Sequence, residues 1–330
     1  MTPEEAVDHF PGVAGAGRAT PLPGGHIHQS WSIGRPGRRW VVQACNTNVF
    51  PDLDAVMGNV TVLCAEIFPE LAPLRTGDGN TLWRDRTGQT WRVSPFIEGT
   101  VPADGRVDPD GVFELGRGLG RFHVSASGFD AGRLAITLPG FHDPQARLAF
   151  LDRMKIDSDD VRRLDPFRHL ALEAATFRTP GVAIRVAHFD AKADNFLLDD
   201  RGRVRAVIDL DTVMPGSWLW DFGDLARSTT GTANEDEPGA MQFDPHRYAA
   251  LVSGYRSEVD PVLSTEERGL LSMAPFVVTF EQAVRFLTDH YAGDTYYRVA
   301  RPGHNLDRAL AQLALLDSMT AHQSAMIGGS

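Results

Sequence analysis

The sequence predicts an α+β protein in two lobes, a small β-rich lobe over residues 1–98 and a larger, mostly helical lobe over 99–330. Three observations predict it. Short strands punctuated by glycine, with one intervening helix, fill the chain up to residue 98. Helical periodicity dominates after Gly99, and a polar loop between apolar runs interrupts it near residue 190.

Thr2, followed by Pro3, Glu4 and Glu5, reads as the N-cap and acidic first turn of a short helix. Over 19–45 the pattern changes to strands, "HIHQSWSI" and "WVVQAC", joined by the turn "GRPGR". The spacing of Leu53, Val56, Met57, Val60 and Leu63 predicts a helix over 52–66. Two more strands flank Thr87-Gly88 in "NTLWRDRTGQTWRVSPFI". The resulting β-β-α-β-β order is that of a small nucleotide-binding lobe. Beyond it, apolar periodicity predicts helices over 112–124, 144–151 and around 170–177. "NFLLD" and "VRAVIDL", joined by Asp200-Arg201-Gly202, read as a hairpin with Asp209 at the end of its second strand. From 245 to 325 the chain reads as long helices, clearest over 267–287 and 305–319, while "GTANEDEPG" (231–239) reads as an acidic loop.

With 330 residues the chain can bury a full core in each of two lobes. A net charge of −11 argues against a nucleic-acid or anionic-membrane partner. It also requires local positive charge or a metal wherever phosphates bind. Cys45 and Cys64 show neither a disulfide framework nor metal-ligand spacing and read as buried, reduced thiols. The N-terminal "MTPEEAVDHF" is acidic and lacks the apolar run of a secretory signal, and no run approaches the ~20 apolar residues of a membrane helix. A cytoplasmic enzyme is the expectation.

The chemistry concentrates in His188-Phe189-Asp190-Ala191-Lys192-Ala193-Asp194-Asn195 and in Asp209 of "VIDLD". Together these residues supply what phosphoryl transfer from a magnesium nucleotide needs. Asp190 can take a substrate hydroxyl proton, Lys192 can neutralise the transferring group, and Asn195 and Asp209 offer hard oxygen ligands to Mg²⁺. The H-x-D-x-K-x-x-N spacing is that of a kinase catalytic loop, and Asp209 stands where kinases carry the Asp of D-F-G. His188 reads as a structural member of the loop. Asp211 is either a second metal ligand or the cap of the following turn. Asp221-Phe222-Gly223 lies too far from Asn195 to be the metal-binding D-F-G; Asp221 or Asp224 reads as a helix cap or as an anchor for the catalytic loop.

Gly24 and Gly25, in "PLPGGHIHQSW", form a candidate turn over the phosphates and would serve equally as an ordinary hairpin turn. The first lobe departs from the kinase pattern. "WVVQACN" places Gln43-Ala44 where a strand Lys belongs, and Gly58-Asn59 occupies the place of its helix Glu. Gln43 can hydrogen-bond a phosphate but cannot neutralise it.

"RVAHFDAKADNFLLDD" and "VIDLDTVMPGSWLWDFGDLAR" resemble the aminoglycoside phosphotransferase-like kinases, relatives of the protein kinases. Within that superfamily the chain is most similar to the N-acetylhexosamine 1-kinases, through "GGHIHQSW", "QACNTNVFPDLDAVMGNV", "WRVSPFIEGTV" and "VRFLTDHYAGDTYYRVARPGHNLDRALAQLALL". The likeness covers nearly the whole chain and is weakest over 150–180. It implies a bilobal protein-kinase-like fold, ATP and Mg²⁺ as cofactors, and a small-molecule acceptor phosphorylated at the anomeric hydroxyl of an amino sugar. Carried over by position, Asp190 is the base, Asn195 and Asp209 bind metal, and His26, Arg285 and Tyr296 lie at the sugar. The segment from Phe96 through Glu98 to Gly99 receives the adenine. Read from residues alone, Arg285 could instead pair with Asp289 four positions on, and Tyr296 could pack in the core. Ser228 stands where the sugar 1-kinases carry an aromatic residue. Two other readings stay open. One is an antibiotic or amino-alcohol phosphotransferase of the same fold, which the acidic chain suits; the other is a nucleotide-binding protein without turnover, which Gln43-Ala44 and Gly58 suit.

Overall fold

The computed structural model describes all residues except 14, 24–26, 106, 325 and 327–330. The chain forms two compact units. The first holds Met1–Thr100 with Gly132–Leu138 and Leu210–Val213, and the second holds Val101–Ala131, Pro139–Asp209 and Met214–Ser330.

The first unit begins with α1 (Pro3–Val7), closed by a reciprocal capping box between Thr2 and Glu5. Its sheet is antiparallel throughout, with strands β1 (Thr20–Pro21), β2 (Gln29–Arg35), β3 (Arg38–Cys45), β4 (Trp83–Arg84) and β5 (Thr90–Pro95) in the order β1-β2-β3-β5-β4. Strand alternation sends Ile33, Val42, Trp91 and Val93 inward, where they meet Ala6, Val7, Phe10 and Val13. The β3–β5 register sets Gln43 opposite Arg92. Helix α2 (Leu53–Glu66) starts at Asp52, whose carboxylate accepts the Ala55 amide. Asn59, buried on α2, donates to the carbonyls of Ala135 (2.8 Å) and Val213 (3.0 Å) and accepts the Ala135 amide (2.8 Å). One amide side chain therefore clamps both of the short segments that the first unit draws from later in the chain.

In the second unit β6 (Val101–Pro102) opens a small sheet and α3 (Pro109–Ala126) follows, capped by Asp108 with Pro109 at its first position. Then come α4 (Pro144–Arg153), α5 (Asp159–Arg162) and α6 (Leu170–Glu173). Strand β7 (Arg185–Ala187) pairs with β10 (Met214–Gly216), while β8 (Phe196–Leu198) lies between β6 and β9 (Val204–Val207). The remaining helices are α7 (Trp218–Thr229), α8 (Pro245–Val259), α9 (Thr265–Leu270), α10 (Ala274–Tyr291) and α11 (His304–Ala321). Helices α3 and α8 approach backbone to backbone: a Cβ on Gly254 would stand 2.0 Å from the Phe113 carbonyl oxygen, and one on Gly116 2.5 Å from that of Leu251.

Three expectations need correction. The helix expected over 267–287 is two helices, because Pro275 in the first turn of α10 lacks an N–H and its ring clashes with the carbonyl four residues back. Over 170–177 only one α-turn forms before the chain tightens into a 3₁₀ segment, Ala174–Arg178. The second hairpin strand stops at Val207, short of Asp209, which adopts a left-handed φ of 65° that a strand cannot continue. No helix among the described residues is long and apolar enough to cross a membrane.

Candidate active site

The loop carrying Asp190 runs from β7 to β8 and is over-determined. Phe189 and Asp209 both hold left-handed backbones, at φ 64° and 65°, a strain of order 1 kcal/mol each that surrounding contacts must offset. Buried Asp221 on α7 accepts the amides of His188 and Phe189, each at 2.7 Å, and His123 Nε2 at 2.8 Å. Burial lowers the His123 pKa, so its ring is neutral, donating to Asp221 and accepting the Tyr255 hydroxyl at 2.9 Å. Asp221 is thus an anchor for the loop, and Ser217 caps α7. His188 Nε2 donates to the Ile208 carbonyl (2.9 Å), its Nδ1 accepts the Asp190 amide (3.3 Å), and the Ile208 amide donates to the Asn195 carbonyl (2.8 Å). These bonds tie the loop to the segment that leads into Asp209.

Within the loop, Asn195 Nδ2 donates to the Asp190 carbonyl (2.7 Å) and to its carboxylate (3.1 Å), and Lys192 Nζ lies 3.4 Å from that carboxylate. Burial raises the Asp190 pKa, but the Lys192 charge and the hydrogen bonds from Asn195 and Lys192 outweigh it and hold the group below the ordinary range. Lys192 is pushed the other way: burial disfavours its charge, and Asp190, Asp194, Asp209 and Asp224 together more than restore it. A carboxylate and an ammonium are therefore both charged, side by side. So weak a base suits a reaction in which orienting the nucleophile matters more than removing its proton early. With Nδ2 engaged by Asp190, Oδ1 is the Asn195 atom available to a cation. Among the described residues no three His, Cys, Asp or Glu side chains converge as a ligand set. Mg²⁺ is ordinarily held by one or two protein oxygens plus waters and phosphates, so the pair Asn195 and Asp209 fits it.

In the first unit Gln43 is already engaged, accepting Arg92 Nε at 2.8 Å and donating to Ser30 Oγ at 3.1 Å. Arg92 grips Asp211 with both terminal nitrogens, and His28 Nε2 lies 2.7 Å from the same carboxylate. Both Asp211 oxygens are thus held by side chains of the sheet unit. The carboxylate of Glu98 binds Arg39 Nη2 (2.6 Å) and Nε (3.0 Å), and the Arg39 guanidinium lies 3.9 Å from the Phe96 ring.

Arg285 does not pair with Asp289, which instead accepts the amides of Thr295, Tyr296 and Tyr297 and the Asn305 side chain, all at 2.8–2.9 Å. The guanidinium lies over the rings of Phe141 (5.0 Å), Tyr297 (5.5 Å) and Tyr296 (5.8 Å), and among the described residues no carboxylate comes within ion-pair distance. Burial opposes its charge, while Tyr297, Tyr296, Glu281 and Asp190 favour it, with a net upward shift. Tyr296 is 43% exposed, so it is not a core residue. Ser228 Oγ accepts the Ala193 amide at 3.1 Å and so belongs to the loop's support. Gly24, Gly25 and His26 lie outside the described residues.

The APH profile, described as the phosphotransferase enzyme family, matches residues 18–256. The chain belongs to this family.

Solved structures similar to this phosphotransferase share its fold at low identity. An aminoglycoside phosphotransferase from Alicyclobacillus acidocaldarius is 18% identical with a TM-score of 0.60, over 99% of this chain and 95% of that one. A choline/ethanolamine kinase family protein from Mesorhizobium loti is 16% identical at TM-score 0.61, over 98% of both chains. The amicoumacin kinase hAmiN, solved with AMP-PNP, Ca²⁺ and amicoumacin, is 15% identical at TM-score 0.62, over 90% of this chain and 87% of that one.

Asp190, Lys192 and Asn195 stand in direct contact in this phosphotransferase, with Asp209 and Arg285 within electrostatic reach of them. Arg92 escaped the sequence reading. The signal for it was available, a lone charge in a buried-looking strand stretch, "TWRVSP", but it becomes meaningful only with the β3–β5 register.

Proposed function

We propose that this phosphotransferase moves the γ-phosphoryl group of ATP to a hydroxyl of a neutral, sugar-like acceptor, the anomeric hydroxyl of an N-acetylhexosamine fitting best. Asp190 orients the acceptor hydroxyl and takes its proton as the new O–P bond forms and the bond to ADP breaks. Lys192 offsets charge on the transferring group, and Asn195 and Asp209 would hold Mg²⁺, whose charge counters that of the phosphates. An ATP analogue and a divalent cation bound in the amicoumacin kinase support the cofactor reading.

The observation that carries the acceptor class is Arg285. A permanently charged guanidinium with no carboxylate partner among the described residues shares the neighbourhood of Asp190. A cationic acceptor about 6 Å away would be repelled by about 3 kcal/mol at an effective dielectric near 20, roughly a hundredfold in affinity. An acetamido carbonyl or a sugar hydroxyl would instead accept its hydrogen bonds.

A second reading, an amino-alcohol or antibiotic acceptor, draws on the carboxylates gathered around Lys192 and on the choline/ethanolamine and amicoumacin kinases among the structural neighbours. A panel of N-acetylhexosamines, hexoses, amino alcohols and aminoglycosides, with ADP release and phosphorus NMR of the product, separates the two. An anomeric phosphate supports the sugar reading; an ester on an amino alcohol or antibiotic overturns it.

A further inference from the structure

His142, just ahead of α4, is buried against Glu281 of α10. Its Nδ1 lies 2.6 Å from Glu281 Oε2, and its Nε2 lies 3.2 Å from the carbonyl oxygen of Phe189. The imidazole stacks on Trp220 (4.6 Å, 5°) and on the Phe189 ring (5.3 Å). That phenyl ring in turn lies on Gly216, where a Cβ would come within 2.2 Å of it.

We infer that the His142–Glu281 pair is a positioning device for the reacting carboxylate: it holds the carbonyl of Phe189, the strained residue immediately before Asp190. The inference rests on the reading of Asp190 given above. A carbonyl only accepts, so His142 Nε2 must carry a proton. Nδ1 then either donates to ionised Glu281 or accepts from its carboxyl form; both arrangements place two protons on the pair and leave it without net charge. Asp221 fixes the amide of Phe189 and His142 its carbonyl, so the two peptide links that flank its left-handed Cα are both pinned.

Packing alone does not account for Glu281. It is 1% exposed, and its second oxygen, Oε1, has no hydrogen-bond partner among the described residues. A buried, half-satisfied carboxyl is costly wherever an apolar residue would fill the same space. Glu281 also sits one turn before Arg285 on α10, and Phe141, adjacent to His142, underlies the Arg285 guanidinium. The same pair therefore joins the acceptor-side arginine to the catalytic loop. Arg178 and Arg147 donate to the carbonyls of His142 and Phe141, at 3.0 and 3.3 Å, leaving the imidazole nitrogens to Glu281 and Phe189.

The test uses the full chain. The double variant His142→Phe with Glu281→Leu keeps a stacked ring and removes both polar groups, so no buried charge is orphaned. It should unfold cooperatively, keep its KM for ATP, and lose roughly 10–100-fold in kcat, the usual effect of loosening a supporting shell around a reacting group. Turnover is read as ADP release from MgATP with an N-acetylhexosamine and with water as acceptor. Glu281→Gln alone should recover most of kcat, because its amide donates to Nδ1 and keeps the proton on Nε2. Nitrogen-15 NMR of His142 should show Nε2–H in the wild type and in Glu281→Gln, whatever the acceptor. Wild-type kcat in the folded double variant, or an Nδ1–H tautomer facing Phe189, would overturn the inference. Asp190→Ala serves as the control: normal turnover there would sink the Asp190 reading itself.

Discussion

Arg92 Nη2 donates to Asp211 Oδ2 at 2.9 Å, and both side chains are buried. The two residues stand 119 positions apart, so this ion pair fastens a short late segment, two residues past Asp209, to the sheet of the first unit. Burial pushes the Asp211 carboxyl up, but Arg92 and His28 more than reverse that and hold it well below the usual carboxylate range. A Lys on β3 is not needed to put a cation in this sheet; Arg92, directly across from Gln43, provides it.

Breaking the pair from one side should be far worse than removing it whole. Arg92→Met takes the guanidinium from the buried Asp211 carboxylate, leaving it to His28, and should cost about 3–5 kcal/mol, whereas Arg92→Met with Asp211→Leu should recover most of that loss. Urea unfolding of the two singles and the double reads the coupling. Additive single effects would show that the two side chains do not act as a pair.

Arg285→Gln should raise KM for a sugar acceptor by about tenfold or more while leaving KM for ATP unchanged, since it removes charge but keeps a hydrogen-bonding amide. The same change should improve use of cationic acceptors by roughly 10–100-fold, the repulsion it relieves being about 2–3 kcal/mol. Steady-state kinetics with one neutral and one cationic acceptor measure both effects. A variant whose two acceptors respond alike would refute the electrostatic role.

Burial pushes the Cys45 thiol up to about 11 and the Cys64 thiol up to about 12. Both thiols should therefore resist iodoacetamide at pH 8 and react at a rate set by unfolding. The unfolded thiols ionise near pH 9 and the folded ones only above it, so their contribution is complete below pH 9 and is lost as pH rises toward 11. Replacing both by Ala should flatten that alkaline decline in a pH series of urea midpoints.

What could be read from the sequence follows the range of the interactions. The grouping of polar residues from His188 to Asn195 was legible because they lie close in sequence and contact one another, Asn195 on Asp190 and Lys192 beside it. The two-unit α+β plan was legible because strand alternation and helix spacing are local. Arg92–Asp211 and His142–Glu281 were not, because each joins residues more than a hundred positions apart and depends on a register or a helix packing that no local pattern encodes. The break between α9 and α10 was visible in Pro275, but the apolar periodicity running through it masked the stop. Asp221 sat between: a D-F-G string out of place, whose capping chemistry turned out to serve the loop and not its own helix.

The central claim is that Asp190 orients and deprotonates the hydroxyl that receives the phosphoryl group. Its most direct test is the rate of phosphate-ester formation from MgATP and an N-acetylhexosamine by the wild type and by Asp190→Asn, each shown to be folded and to bind ATP alike. The account predicts an ester with the wild type and a loss of at least 10²-fold in kcat with the variant. Equal rates in the two proteins would contradict it.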